Sequence, residues 1–173
     1  MEYLINHWDA EVIDGREADD AMGCWQWAHP DKSTVIVTID KDLDMIPGYH
    51  YNPVKQKLYY VKKPDADRKF FTQVITGDTV DDVPGLPGYG PVAARKLLKP
   101  EMGWNEMLDT VRREYDKVYP YTGPEVMGEM ADLVWIQREE GILWNGRKLG
   151  SNGGSEGSQP DESESDCSTT TSD

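Results

Sequence analysis

Five helix-breaking residues within seven positions, Pro84, Gly85, Pro87, Gly88 and Gly90, set the strongest limit on how this chain can fold. No regular element runs through proline and glycine at that density, and the glycines let the backbone take positive φ or approach a ligand closely. Before them, Phe70, Phe71, Val74 and Ile75 recur at helical spacing over residues 66–76, with Asp65 placed to cap. After them, Pro91 suits the first turn of a new helix, which Val92, Ala93, Ala94, Leu97 and Leu98 continue as an apolar face. The expected unit is helix, glycine loop, helix. Asp78 and Asp81 enter the loop three residues apart, so in helical geometry both would face one cation or one water. The second helix would offer free N–H groups and a positive dipole end to a phosphate, with Arg95 and Lys96 adding charge beside it.

Taken in order, residues 1–7 read as the end of a helix and residues 10–13 as a short strand closing at Asp14-Gly15. Residues 17–28 read as a helix with Met22, Trp25 and Ala21 inward. Glu17 and Asp20 form an i, i+3 pair there, with Asp19 beside them in the first turn. The helix dipole alone would favour carboxylates at that end. Pro30 ends the helix. Residues 33–39, β-branched nearly throughout and apolar on both faces, read as a central parallel strand. Asp40 and Asp42 follow its carboxyl end, where open α/β sheets bind ligands. An Asp-x-Asp turn is equally at home as a solvated turn with side-chain to backbone bonds. A hairpin is expected from residues 49–51 and 57–61 through Asn52-Pro53. Helices over residues 104–118 and 124–138, and a closing strand or packed segment at residues 142–144, complete the body. His7, His29 and His50 are scattered and read as surface or core residues.

At 173 residues and 38% hydrophobic content the chain suits one domain plus a tail, with six Trp and nine Tyr supplying much of the buried area. It lacks a run of about 18 apolar residues and a basic-then-apolar start, so neither a membrane span nor a secretory signal is expected. Cys24 and Cys167 form no Cys-x-x-Cys motif, and a reducing cytoplasm fits them. The net charge of −14 looks wrong for a nucleic-acid protein until it is divided. Residues 151–173 carry six acidic residues and no Lys or Arg, leaving −8 for the body. Seven of the body's acidic residues, Glu17, Asp19, Asp20, Asp40, Asp42, Asp78 and Asp81, are candidate cation ligands. Neutralised by metal, they would leave a body near neutrality and able to carry local basic patches.

Gly77-Asp78-x-x-Asp81 followed by Gly85-Leu86-Pro87-Gly88-Tyr89-Gly90 and a short Ala/Arg/Lys helix resembles the helix-three-turn-helix of the flap endonuclease and 5′-3′ exonuclease family. Glu17-Ala18-Asp19-Asp20 is similar to that family's E-A-D-D block, and Asp40-Lys41-Asp42 to its D-x-D block. The three motifs fall in the family's order over roughly residues 1–98, most like the bacteriophage 5′-3′ exonucleases.

The resemblance implies an α/β fold: a PIN-like parallel-sheet nuclease core over residues 1–64, incomplete at its N-terminus. A helix-three-turn-helix DNA-binding region over residues 65–149 and a disordered acidic tail over residues 150–173 would follow. It implies phosphodiester hydrolysis with two Mg²⁺ or Mn²⁺ ions, catalysis by Asp19, Asp20, Asp40, Asp42 and Asp78, and metal ligation by these with Glu17 and Asp81. Gly85, Gly88, Gly90, Arg95 and Lys96 would bind duplex or 5′-flap DNA through its backbone, with K⁺ on the loop carbonyls. The family domain begins with a strand bearing a further catalytic Asp and a basic helical arch, for which this sequence has no counterpart before Met1. The expectation is therefore either the C-terminal part of a split or truncated exonuclease or a chain that works with an upstream-encoded N-terminal partner, acting in the host cytoplasm if phage-encoded. The competing expectation is a non-catalytic, structure-specific DNA-binding module.

Overall fold

The computed structural model describes residues 2–29 and 33–149. The expected tail, residues 150–173, and Cys167 lie outside the described residues.

Two helices open the chain, α1 (Glu2–Trp8) and α2 (Ala18–Ala28). The strand expected at residues 10–13 does not form; Val12 and Ile13 stand exposed there, outside any strand. Helix α2 also turns an unexpected face inward. Trp25 is 65% exposed, whereas Gly23 and Gln26 are buried. A Cβ on Gly23 would run into the Gln137 carbonyl and the Ile46 side chain, so this face is defined by close approach and not by bulk. Gln26 Nε2 donates to the Tyr49 carbonyl at 3.2 Å and its Oε1 accepts from Thr34 Oγ1 at 3.2 Å, which ties the helix to the sheet.

Among the described residues the sheet has three strands in the order β1 (Val35–Val37), β2 (Gly48–Asn52) and β3 (Lys57–Val61). The pair β1–β2 is parallel with Ile36 opposite His50, and β2–β3 is the expected hairpin. The strand read as central is therefore an edge. Ile36 is buried, but Val35 and Val37 are 46% and 60% exposed. An open apolar groove runs beside them, lined by Ile13, Met22, Trp25, Val35 and Val37. A short 3-10 turn, Asp42–Met45, follows β1. His50 lies fully buried on β2, stacked on Tyr59. Burial, with the neighbouring Asp44 carboxylate that accepts from the Tyr59 hydroxyl at 2.7 Å, pushes the Tyr59 phenol up to about 12.

The helical half holds the larger core. Helix α3 (Lys63–Thr76) starts three residues earlier than expected because Pro64 enters its first turn, and Asp65 pairs with Arg68 instead of capping. Helices α4 (Pro91–Leu97), α5 (Trp104–Val118) and α6 (Gly123–Val134) complete it. Phe70, Phe71, Val74 and Ile75 of α3 pack against Met107, Val111 and Tyr115 of α5 and Met127 and Met130 of α6. Each such side chain contributes roughly 1.5–3 kcal/mol on burial. The Tyr115 hydroxyl donates to the Val74 carbonyl at 2.6 Å, fixing α5 across α3.

Helix α6 ends four residues before the expected position at an extended Trp135, and residues 136–138 lead back to the sheet side. Ile136 packs with Ile36, Leu43 and Ile46 in a second, smaller core. Gln137 donates from its backbone N–H and from Nε2 to the two oxygens of Asp20, each at 2.8 Å. Arg138, 6% exposed, donates to Asp67 Oδ1 at 2.6 Å and to the Met45 carbonyl. A helix continued to residue 138 would forfeit all of these bonds. Ile142–Lys148 close a small turn in which Trp144 Nε1 donates to Asp132. No described helix is long and apolar enough to cross a membrane.

Candidate functional site: an acidic cluster at the carboxyl end of β1

Two of the three acidic motifs meet at the carboxyl end of β1. The Asp40 N–H is held by Thr38 Oγ1 at 3.0 Å, and Asp40 Oδ1 accepts from the Asp42 N–H at 2.9 Å. This side-chain to backbone bond shapes the turn, as the structural reading of Asp-x-Asp expects. Asp42, so oriented, turns one oxygen to Lys69 Nζ on α3 at 2.8 Å.

Asp78 arrives from the other side. Helix α3 stops at Thr76 because Gly77 takes φ +68°, and residues 78–83 form a closed turn in which Asp78 and Val83 exchange backbone bonds of 2.8 Å. The segment is thus not helical, and Asp81 does not stack one turn from Asp78. The Val80 N–H at 2.8 Å, above all, holds the Asp78 carboxyl below the usual carboxylate range; burial opposes it, and Asp81, Asp42 and Gln73 assist.

The E-A-D-D block lies apart from this cluster in its bonding. Asp19 accepts from the Asp20 N–H at 2.9 Å, and both oxygens of Asp20 are taken by Gln137. Glu17 and Asp20 line a separate open cleft with Arg16, Asp132 and Glu140. Among the described residues no three Asp, Glu, His or Cys side chains are grouped closely enough to hold a metal ion. The seven carboxylates do not converge, since several have turned to protein donors.

The pair Asp42 and Asp78 nonetheless fits a hard divalent cation in kind. Both offer oxygen donors, and neighbouring carboxylates are eased by a cation beside them. The fold supplies a cation of its own: Lys69 Nζ stands 2.8 Å from Asp42 Oδ1. One turn further along α3, Gln73 Nε2 donates to Asp78 Oδ2 at 3.0 Å. The sequence reading passed over Lys69 and Gln73. Their i, i+4 spacing on a helix that delivers Asp78 was the available signal.

The glycine loop forms as expected. Gly85 and Gly88 take φ of +62° and +83°, whereas Gly90 is extended, with φ −96°, before Pro91. Gly88 and Gly90 face open space, and Arg95 and Lys96 are exposed on α4. The Tyr89 hydroxyl donates to Glu114 Oε2 at 2.7 Å, which moors the loop to α5. Lys117 first, then Tyr89, holds the Glu114 carboxyl low, against the effect of burial.

Fold and site together define an α/β protein with an acidic edge beside a glycine loop and a basic helix. Its sequence is similar to DNA polymerase I of Rhizobium leguminosarum, 36% identical over 139 residues that make up 73% of this chain and 13% of that protein. It is also similar to the thermostable DNA polymerase I of Thermus aquaticus, 29% identical over 133 residues, 70% of this chain and 15% of that one. The chain therefore spans a small fraction of the length of the curated relatives it matches. No family model and no solved structure matches.

Proposed function

We propose that this chain is the metal-binding and duplex-binding part of a 5′-3′ exonuclease or flap endonuclease acting on DNA. The observation that carries the reading is that Lys69 and Gln73, one turn apart on α3, hold Asp42 and Asp78 at 2.8 and 3.0 Å, which brings two distant motifs side by side beyond the carboxyl end of a parallel strand. The likeness to two DNA polymerases I supports DNA as the substrate. Asp42 and Asp78 would hold a Mg²⁺ or Mn²⁺ ion, and Asp40 orients Asp42. Glu17, Asp19, Asp20 and Asp81 would join a two-ion site by exchanging their present donors for metal. Such ions activate a water and stabilise the leaving oxygen of a phosphodiester. Gly88 and Gly90 leave the backbone open to a DNA phosphate or a potassium ion, while Arg95 and Lys96 supply charge that reads structure and not sequence.

An N-terminal partner chain, encoded upstream and in a bacteriophage setting, belongs to the same reading. The exposed edge of β1 supports it. Parallel strands are ordinarily covered on both faces, and an open apolar edge is a template for another strand.

The test is digestion of 5′-labelled duplex and flap DNA with Mg²⁺, with and without the upstream product, by the parent and by Asp42→Asn and Asp78→Asn. Cleavage by the parent that either substitution abolishes, with DNA binding retained, is expected. Turnover unchanged in both variants overturns the metal assignment. Duplex binding without cleavage under every condition leaves a binding module.

A further inference from the structure

The amino end of the sheet, away from the acidic cluster, carries two open hollows set side by side. The first is lined by Trp27, Tyr49, Tyr60 and Lys63, and Thr34 and Gly48 place it where β1 and β2 begin. The second is lined by Trp27, Trp104, Trp135 and Lys63. Trp27 and Lys63 belong to both, so the two adjoin. Each holds about 200 Å³, the size for one flat ring and below the roughly 300–1,000 Å³ of a pocket that takes in a whole small molecule.

The walls are aromatic and held in place. The Trp27 indole N–H donates to Glu139 Oε1 at 3.3 Å, and that of Trp135 to the Ile142 carbonyl at 3.1 Å. The Arg138 guanidinium lies over both rings, 5.7 and 5.1 Å from their centroids. Tyr49 and Tyr60 meet edge to face at 5.0 Å. Trp104 is stacked on Phe70, and Lys63 Nζ stands 5.6 Å from its centroid. Asp67 is paired with both Lys63 and Arg138, each at 2.6 Å, so two cations share one carboxylate and a positive charge is left over. Lys63, its side chain 54% exposed, is the one able to turn to a ligand. Glu139 stands exposed at the rim, where solvent screens its charge.

We infer that this groove binds single-stranded DNA, one base in each hollow, with Lys63 on the phosphate between them. Aromatic faces accept any base, and a cation shared by two ring-sized hollows matches the base, phosphate, base repeat of a strand. A proline-rich peptide would also find aromatic walls, but it would gain nothing from the surplus positive charge. The inference rests on the nuclease reading only for the identity of the polymer. Its residues take no part in the site proposed around Asp42 and Asp78, which lies beyond the other end of β1.

The test is fluorescence anisotropy of a labelled oligothymidylate of about six nucleotides, and of an abasic strand with the same phosphates, against the full 173-residue chain and its variants. The parent should bind the oligothymidylate about 10-fold or more tightly than the abasic strand. Trp27→Ala and Tyr60→Ala should each lose about 10-fold for the oligothymidylate and nothing for the abasic strand or for blunt duplex. Lys63→Gln should weaken both single strands and lower the slope of log affinity against log salt by about 0.7. Equal affinity of the parent for the two strands overturns the inference. So does an unchanged affinity in either aromatic variant, a loss of duplex binding in step with single-strand binding, or binding of a polyproline peptide in place of the oligothymidylate. Cleavage of labelled duplex by the parent would leave the nuclease reading standing after any of these. A parent that neither binds a single strand nor cleaves overturns both. Should Trp27→Ala not fold, Tyr60→Ala decides alone, since Tyr60 is 44% exposed on the outer strand β3.

Discussion

Gly77 and Gly85 stand backbone against backbone across the neck of the loop that carries Asp78. A Cβ on Gly77 would run into the Val83 carbonyl and the Gly85 nitrogen, and one on Gly85 into the Gly77 nitrogen, the Thr76 carbonyl carbon and the Ile75 oxygen. Both take positive φ. Gly85→Ala should therefore add backbone strain and overpacking together, about 3 kcal/mol or more. Gly88→Ala, at φ +83° in open space, should cost only about 1–2 kcal/mol. Equal melting temperatures for the two variants would show that the neck is looser than this geometry.

The buried pair Arg138 and Asp67 calls for a double substitution. With side chains 7% and 4% exposed, Arg138→Met leaves Asp67 charged and buried with only Lys63 beside it, a loss of about 3–5 kcal/mol. Arg138→Met with Asp67→Leu should recover much of that. Chemical denaturation of the two single variants and the double one measures the coupling, and strict additivity would sink this account.

Tyr89→Phe should unmoor the glycine loop from α5. Losing the 2.7 Å bond to Glu114 should lower stability by about 1–2 kcal/mol, while Lys117 keeps Glu114 paired. On the proposed function, duplex affinity should fall and Mn²⁺ affinity should not. A parallel loss of both would mean that loop and acidic cluster move as one unit.

His50 gives the fold a defined pH dependence. Burial holds its pKa below the ordinary 6.5, opposed by the bond to the Ile46 carbonyl, and Nδ1 has no partner among the described residues. The folded chain therefore keeps His50 neutral where the unfolded chain is already protonated. Its contribution is fully present above about pH 6.5 and is lost as pH falls below that value toward the depressed folded pKa. Thermal melts between about pH 7.5 and 5.5 should show a steeper decline for the parent than for His50→Gln. Identical slopes would remove His50 as the cause.

Much of this architecture was legible because helical periodicity is strong where a helix has one apolar face. The span of α5 was read to the residue from Met107, Val111 and Tyr115, and the loop from its glycines. Residues 33–39 read as a strand, of which only Val35–Val37 forms one, and a run of β-branched residues is silent on whether neighbours lie on both sides, so the edge position of β1 could not be seen. The inward face of α2 was misread because Gly23 and Gln26 carry no apolar signal, while the exposed Trp25 does. Arg138 and Asp67 look like surface charges in sequence, and only the fold makes them a buried pair. In the acidic cluster, the motifs named Asp42 and Asp78, but the protein donors now holding them lie on α3 and came without a motif.

The return of residues 135–138 to the sheet side makes the smaller core depend on residues late in the chain. The smaller core needs Ile136 beside Ile36, Leu43 and Ile46, and α2 needs Gln137 to satisfy Asp20. A nascent chain emerging from the ribosome can form the hairpin, and then pack α3 against α5, well before those residues exist. Its N-terminal third must wait with an open flank, shielded by nothing of its own, until translation has passed Arg138. The contacts of Ile136, Gln137 and Arg138 with residues before 64 tie the expected nuclease-core region to the helical half that follows it.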